Sequence, residues 1–331
     1  MAGEFSPRAL TTAVNLMKPA PTRVLDVVFP TKKRQLSDTF SWDVKAGSEG
    51  LLPNIRVAAE ATIRGGIGRK TLTCKAPRYA EKEFISAADL NDMRKFGDAA
   101  YPELLKERIA EEQYDMRQTV DLTREFQAVK ALSGQVVDKA GNVLVDYNLP
   151  AAHTPTLTLT GLWTDEASDP IGNIRAWKKL ITQNGGPVTG FAAFCGSEAM
   201  TALINNENVR GLLGYQAGQQ IAETGGISRL AGVSSIEEYF GSYLDSAGVR
   251  HDLIPEDVFA LVGLGSQVAA ELFAPVVDLE APGGVGKGQA ADIFFSKMWE
   301  SKDPSGQWLK VESRPLPVLF QPLCVVWAVV V

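Results

Sequence analysis

PELLKERIAEEQYDMRQTVDLTREFQAVKALS, residues 102–133, holds no glycine and no proline after its first position, and strong helix formers fill most of it. The composition predicts one uninterrupted helix over 102–133. Pro102 suits a first helical turn, and Glu103, Glu107, Glu111 and Glu112 gather at the positive end of the helix dipole. Gly134 stands where a left-handed cap would close the last turn. At about 1.5 Å per residue the helix would run roughly 45 Å, long enough to cross a whole domain.

The apolar positions say what such a helix does. Leu105, Ile109, Met116 and Val120 make one stripe at helical spacing, and Leu122, Phe126, Val129 and Leu132 continue on a stripe rotated from it. A coiled coil would keep a strict heptad, which Gln113, Gln127 and the intervening charges break. The pattern favours a spine lying across a sheet, packed through Leu105, Ile109, Met116, Val120, Phe126 and Val129, with an ordinary core helix as the plainer alternative. Asp115, Asp121 and Glu125 read as a solvated or intersubunit charged face.

The 331 residues carry a net charge of −6 and are 45% hydrophobic, enough for one large domain or two of ordinary size and without a general basic field for nucleic acid. The first 35 residues are the local exception, with Arg8, Lys18, Arg23, Lys32, Lys33 and Arg34 against Glu4 and Asp26. That segment reads either as a solvated arm or as a face turned towards nucleic acid. Cys74, Cys195 and Cys324, odd in number and far apart, suit a reducing compartment and buried positions better than a disulfide framework. No secretory signal is visible, and the apolar run Leu323–Val331 is too short for a bilayer and reads as a buried terminal strand.

Along the chain, residues 1–36 are proline-punctuated with one short apolar helix candidate from Leu10 to Met17. Phe40, Trp42 and Val44 then alternate with polar residues as a half-exposed strand. Gly47 and Gly50 turn the chain, Ile55–Ile63 extends again, and Arg64-Gly-Gly-Ile-Gly-Arg-Lys70 precedes the alternating Thr71–Cys74. The whole reads as a long β-hairpin excursion. Ser86–Asp89 opens a short helix with a capping-box pattern, and Gln135–Tyr147 is a hairpin turning at Lys139–Asn142. Ile171, Ile174, Trp177, Leu180 and Ile181 recur at helical spacing until Gly185. Phe191–Cys195 is a strand, and Ser197 is placed to cap a helix bearing Met200, Leu203 and Ile204. Residues 211–235 are glycine-rich and fit no element, whereas Ser235-Ile-Glu-Glu238 opens another short helix. Strands return at Phe259–Leu264, Ala270–Phe273 and Ile293–Met298, and Lys310–Val331 reads as a last pair of strands.

No constellation for catalysis emerges. In Gly65–Thr71, Arg69 separates the glycine from Lys-Thr, so the phosphate loop fails; Gly283–Gly288 has glycine where the hydroxyl should be. Gly263-Leu-Gly265 lacks the third glycine of the dinucleotide fingerprint. Cys195-Gly-Ser197 lacks both glycines of a nucleophile elbow. His153 and His251 have no ligand-spaced companions and read as surface residues. No cofactor, metal or catalytic residue is therefore expected.

The order of elements carries more than any motif. Proline-rich arm, β excursion, spine helix, hairpin, α/β unit and returning sheet together resemble the lambda-type major capsid proteins of tailed bacteriophages, which have the Hong Kong 97-type capsid fold. The residues that carry the resemblance are Gly161-Leu-Trp163 leading to Asp169-Pro-Ile-Gly-Asn-Ile174, then Phe191–Cys195 with Ala199, Leu203, Asn206 and Val209, and finally Ser313-Arg-Pro-Leu-Pro-Val318. The resemblance implies an α+β chain with an N-terminal arm (1–36), an E-loop (37–77) and a P-domain (78–150) containing the spine. It further implies an axial A-domain (151–305) and C-terminal strands (306–331) returning to the P-domain. It implies a structural, non-enzymatic virion protein, made in the host cytoplasm, whose hexamers and pentamers close into an icosahedral shell around double-stranded DNA held without sequence specificity. The partners implied are other copies, a separate scaffold (the chain shows no long N-terminal scaffolding region), a portal and decoration proteins; no membrane is implied. Arg64, Gly65, Gly66, Gly68, Arg69 and Lys70, at the excursion tip, are the expected intersubunit contacts. An encapsulin-like compartment shell and a metabolic α/β enzyme are the alternatives.

Overall fold

A computed structural model describes residues 5–45, 69–88, 101–212, 226–245, 247–265, 267–281 and 292–331. In chain order the elements are α1 (Pro7–Leu16), α2 (Arg23–Val28), β1 (Lys32–Arg34), β2 (Thr39–Lys45), β3 (Arg69–Lys75), β4 (Tyr79–Ser86) and α3 (Tyr101–Leu132). There follow β5 (Gln135–Val137), β6 (Val143–Asp146), α4 (Pro170–Asn184), β7 (Gly190–Cys195), α5 (Ser197–Asn205), α6 (Glu207–Leu212), β8 (Ser235–Glu238), β9 (Ser242–Leu244) and β10 (Arg250–Asp252). The last are β11 (Val258–Leu264), β12 (Ala269–Phe273), β13 (Phe295–Ser301), β14 (Gly306–Ser313), β15 (Pro315–Leu319) and β16 (Val325–Val329). The chain divides into two compact units, one of residues 1–40, 73–128 and 270–318, the other of 41–72, 129–269 and 319–331.

The first unit is built on the long helix. α3 spans 32 residues, about 48 Å at 1.5 Å per residue. β13, β14 and β4 form an antiparallel sheet with β14 in the middle. Leu309 and Val311 of β14 join Ile85, Phe294, and Leu10 and Val14 of α1 in one buried cluster with the apolar stripe of α3. Each such side chain contributes about 1.5–3 kcal/mol on burial, so the stripe by itself explains why a helix of low average hydropathy stays docked. The N-terminal segment is therefore no solvated arm: Leu10, Val14, Val24, Leu25, Val28 and Phe29 are all core. α1 also finishes the edge of the sheet. Thr11 Oγ1 donates to Ser296 O (3.2 Å) and accepts from Ser296 N (3.1 Å), while Asn15 donates to Phe294 O (2.9 Å) and accepts from Phe294 N (3.3 Å). Two helical side chains thus supply, at Phe294 and Ser296, what a neighbouring strand would otherwise give to the start of β13. A second sheet orders β1–β12–β15, with β1 parallel to β12. β15 is a strand of its own, so residues 306–329 make three strands where a pair was expected.

The second unit centres on the sheet β16–β11–β7–β8, antiparallel except for the parallel pair β7–β8. Trp163, Trp177 and Phe259 pack ring against ring, with centroids 5.0–6.1 Å apart. Asp169 caps α4 by accepting from Gly172 N at 2.9 Å. At the end of α3, Gly134 has φ +102°, the left-handed conformation expected of the cap, and a Cβ there would meet Leu149 at 3.0 Å. β5 and β6 form the expected hairpin, with Asp138 accepting from the turn amides of Ala140 and Asn142.

Two local expectations fail here. Ser235–Glu238 is strand, not helix, because its backbone pairs with Ala192–Cys195 in the sheet; tertiary pairing overrides the capping-box signal. Ser197 does not cap α5. The capping position is Gly196, whose side-chain-free backbone lies so close to residues 255–256 that a Cβ would come within 2.2 Å of Pro255 O.

Candidate functional site

Of the expected spine-packing residues, Leu105, Ile109, Met116 and Val120 lie together in the buried cluster of the first unit. Val129 is buried and Phe126 half-buried, whereas Leu122, expected on the second stripe, is exposed. Beside the main stripe runs a second buried face made of charges. Asp121 and Glu125 were expected on a solvated or intersubunit face but are 0% and 1% exposed, because the N-terminal segment of the same chain covers them; Asp115 alone of the three is exposed.

The charged face follows the helical repeat. Arg117 donates to Val14 O (2.6 Å), to Met17 O and to Asp121 (3.4 Å). Asp121 accepts from Ala20 N (3.3 Å) and from Arg124. Arg124 makes a bidentate pair with Glu271, both contacts at 2.6 Å. Glu125 accepts from Val24 N (2.7 Å) and Leu25 N (3.0 Å), the first donors of α2, whose own Thr22 makes no capping bond. Burial works against the charge on Arg124, yet Glu271 and Asp121 outweigh it and push its pKa further up, so the guanidinium stays ionised. Positions 117, 121 and 125 thus hold the backbone from Val14 to Leu25 along about two turns of the helix. These buried groups are bonded to one another and to the N-terminal backbone, and so fix where one chain segment lies on another. Replacing buried ion pairs by apolar side chains is often neutral or stabilising, and their attested use is to specify register.

At the root of the excursion, Ala76 N donates to Asp38 O (2.8 Å), and Arg314 donates to Ala76 O (3.1 Å) and Pro275 O (2.7 Å). β2 and β3 pair, with Phe40 and Trp42 buried and Thr71 donating to Asp43 at 2.8 Å. Arg64, Gly65, Gly66 and Gly68 lie outside the described residues, as do Gly47, Gly50, Ile55–Ile63, most of the glycine-rich segment and Gly283–Gly288. Arg69 and Lys70 begin β3, and Lys70 is exposed. Arg8, Lys18, Arg23, Lys32, Lys33 and Arg34 are all exposed. On α3, Glu112 is flanked by Glu83, Glu111 and Asp115 with Arg108 as counter-charge. Burial first, then these carboxylates, push its pKa up.

Groups that might have carried chemistry have structural roles. Burial pushes the thiols of Cys195 and Cys324 up to about 12, far from a reactive thiolate. His153, expected at the surface, is buried with Nδ1 2.8 Å from Val325 O, because residues 151–157 run along β16. His251 is an exposed companion of Asp245 at 3.0 Å. Gly263 is part of β11, paired with Phe191, and not a cofactor loop. A pocket of about 700 Å³ in the second unit is lined by Trp163, Asp165, Glu198, Asn206 and Arg210 among others. Among the described residues no group of three His, Cys, Asp or Glu side chains is arranged for a metal, and no helix is long and apolar enough to cross a membrane.

Solved structures with this fold include phage and prophage capsid proteins. A prophage protein of E. coli CFT073 named as a capsid protein superposes with TM-score 0.68 at 18% identity, over 98% of this chain and 99% of that one. A phage-related protein from Bordetella bronchiseptica RB50 gives 0.54 at 12% identity over 97% and 96%, and the capsid of cyanophage P-SCSP1u gives 0.52 at 10% over 95% and 89%. These likenesses establish the Hong Kong 97-type fold. No curated protein sequence matches the chain. The model of the phage major capsid protein E family matches residues 6–330. The chain belongs to that family, and is a structural, non-enzymatic protein of the virion shell.

Proposed function

We propose that this shell protein assembles through hexamers and pentamers into a closed icosahedral container for double-stranded DNA, working with a scaffold, a portal and decoration proteins. The observation that carries the reading is the family match over residues 6–330. In this reading the spine helix and the sheets of the first unit are the P-domain, and the sheet β16–β11–β7–β8 with its helices is the A-domain at the symmetry axes. This differs from the expected bounds in taking β16 from the C-terminal strands 306–331 and in leaving β12 and β13, within 151–305, to the P-domain. The excursion 37–77 reaches a neighbouring copy.

Residues 64–70 are its contact tip. Three glycines there cost backbone entropy and bring no side chain, whereas a loop that meets differently curved neighbours uses that freedom. Arg64, Arg69 and Lys70 supply donors for carboxylates of the next copy, each weak when exposed but repeated around the shell.

Electron microscopy of purified protein should show closed shells of uniform diameter, and nuclease-protected DNA inside them distinguishes a genome container from an enzyme compartment. Light scattering that finds only monomers to tetramers under folding conditions refutes the reading. A variant with Gly65, Gly66 and Gly68 replaced by alanine and Arg64 and Arg69 by glutamate should keep its circular dichroism and subunit melting while losing closed shells. Normal assembly of that variant refutes the role of the tip.

A further inference from the structure

Charge in this chain is strongly uneven. Residues 1–36 hold six Lys and Arg against two acids, leaving 27 against 37 in the remainder. Among the described residues of the segment the single acid is Asp26, and all six cations are exposed, Arg34 with its guanidinium 3.9 Å from Asp292. A loose basic tail would lose much of any binding energy to the entropy of ordering it. This segment has already been ordered, because its backbone is held on both sides of each cluster of cations.

The details are specific. Lys18 sits between Met17, whose carbonyl accepts from Arg117, and Ala20, whose N–H donates to Asp121. Arg23 opens α2 immediately before the Val24 and Leu25 amides that Glu125 holds. Lys32, Lys33 and Arg34 are paired with Glu271, Leu272 and Phe273 of β12 and flanked by Glu271 N donating to Thr31 O (2.9 Å) and Gln35 N donating to Phe273 O (2.8 Å). Glu271 is also the carboxylate that grips Arg124, so the buried charges of α3 and the basic strand β1 share one anchor.

We infer that Arg8, Lys18, Arg23, Lys32, Lys33 and Arg34 are preordered contact points for the phosphate backbone of double-stranded DNA. This inference rests on the reading that the shell encloses DNA. Lysines on an edge strand also guard it against pairing with another chain, which accounts for one charge on β1. It does not account for three in succession, nor for Lys18 and Arg23, which lie on no edge. Cations spread over a helix, a loop and a strand match an extended polyanion and not a single carboxylate. Phosphate contacts carry no base information, so binding is sequence-independent.

The test uses the full chain as unassembled subunits and a 30-base-pair duplex followed by fluorescence anisotropy between 50 and 200 mM salt. The variant replaces Lys18, Lys32, Lys33 and Arg34 by alanine. A control replaces four exposed cations elsewhere, Lys139, Arg175, Lys179 and Lys302. Each lost phosphate contact removes about 0.9 from the slope of log K against log salt. The variant should therefore lose about 3 to 4 in slope and at least about 100-fold in affinity at 100 mM salt, with the control near wild type. If the alanine variant melts early, the corresponding glutamine variant is measured instead. Wild-type protein that binds no duplex at 50 mM salt overturns the DNA reading itself. Wild-type binding with equal slopes in variant and control overturns only the assignment to these residues. Preference for polyglutamate over duplex at matched charge would make these residues a protein site and overturn the inference.

Discussion

Glu125→Ala tests the charged face at its clearest point. The carboxylate accepts two backbone N–H groups, at 2.7 and 3.0 Å, from Val24 and Leu25, which are 0% and 3% exposed. Alanine leaves both donors buried, at about 1–3 kcal/mol each, so the loss should fall between about 2 and 6 kcal/mol. Against a domain stability of about 5–15 kcal/mol that is a large fraction. Water entering the vacated space would place the result near the lower end. Glu125→Gln keeps one acceptor and turns an amide donor towards the other N–H, so its cost should be about half as great. Urea unfolding of dilute subunits measures the loss as a lower midpoint with unchanged slope, and hydrogen exchange at residues 24 and 25 reads it locally. If Glu125→Ala stays within 1 kcal/mol of wild type and both amides exchange as slowly as before, the carboxylate is not the cap of α2.

At the start of α5, Gly196→Ala should destabilise severely, because the new methyl meets the backbone of residues 255–256 at 2.2–2.5 Å; Ser197→Ala, at a position that makes no capping bond, should change melting by less than about 0.5 kcal/mol equivalent. Soluble, wild-type-like Gly196→Ala would contradict the packing described. Glu112 has a raised pKa in the folded chain, so its stabilising contribution is fullest below the unfolded value and is lost as pH rises through the folded one. Glu112→Gln should accordingly melt higher than wild type at pH 7, with the gain vanishing below about pH 4; a lower melting temperature at pH 7 would show that Arg108 outweighs burial and the neighbouring carboxylates together. Val120→Pro removes a helical hydrogen bond in the middle of the buried stripe and clashes with the preceding turn, at about 3 kcal/mol or more, and should give insoluble protein; soluble, shell-forming protein would count against a continuous spine.

The long helix was legible because its signals are local: an unbroken run of helix formers, acids at the start, a glycine at the end and Leu105, Ile109, Met116 and Val120 one or two turns apart. Phe191–Cys195 and the apolar terminal strand were legible for similar reasons. The charged face was not, since the groups that desolvate Glu125 lie about one hundred residues away, at Val24 and Leu25. One signal was present: Arg117, Asp121 and Glu125 recur every four residues beside Met116 and Val120, on a flank that faces the core and not the solvent. Ser235–Glu238 misled because a capping-box pattern says nothing about a parallel neighbour forty residues upstream. His153 misled for a similar reason, as its burial comes from the last strand of the chain.

The side chains of Thr11 and Asn15 satisfy the outward backbone groups at the start of β13, at Phe294 and Ser296. A shell protein is produced in bulk, and its copies meet constantly before they find their places in a lattice. An open strand edge under those conditions invites growth into fibres, a sink from which subunits do not return. Covering the start of β13 with a helix from the same chain shortens the edge open to such pairing and favours association in geometries that close. Substituting Thr11 and Asn15 should therefore show itself less in the finished container than in the yield of material lost on the way to it.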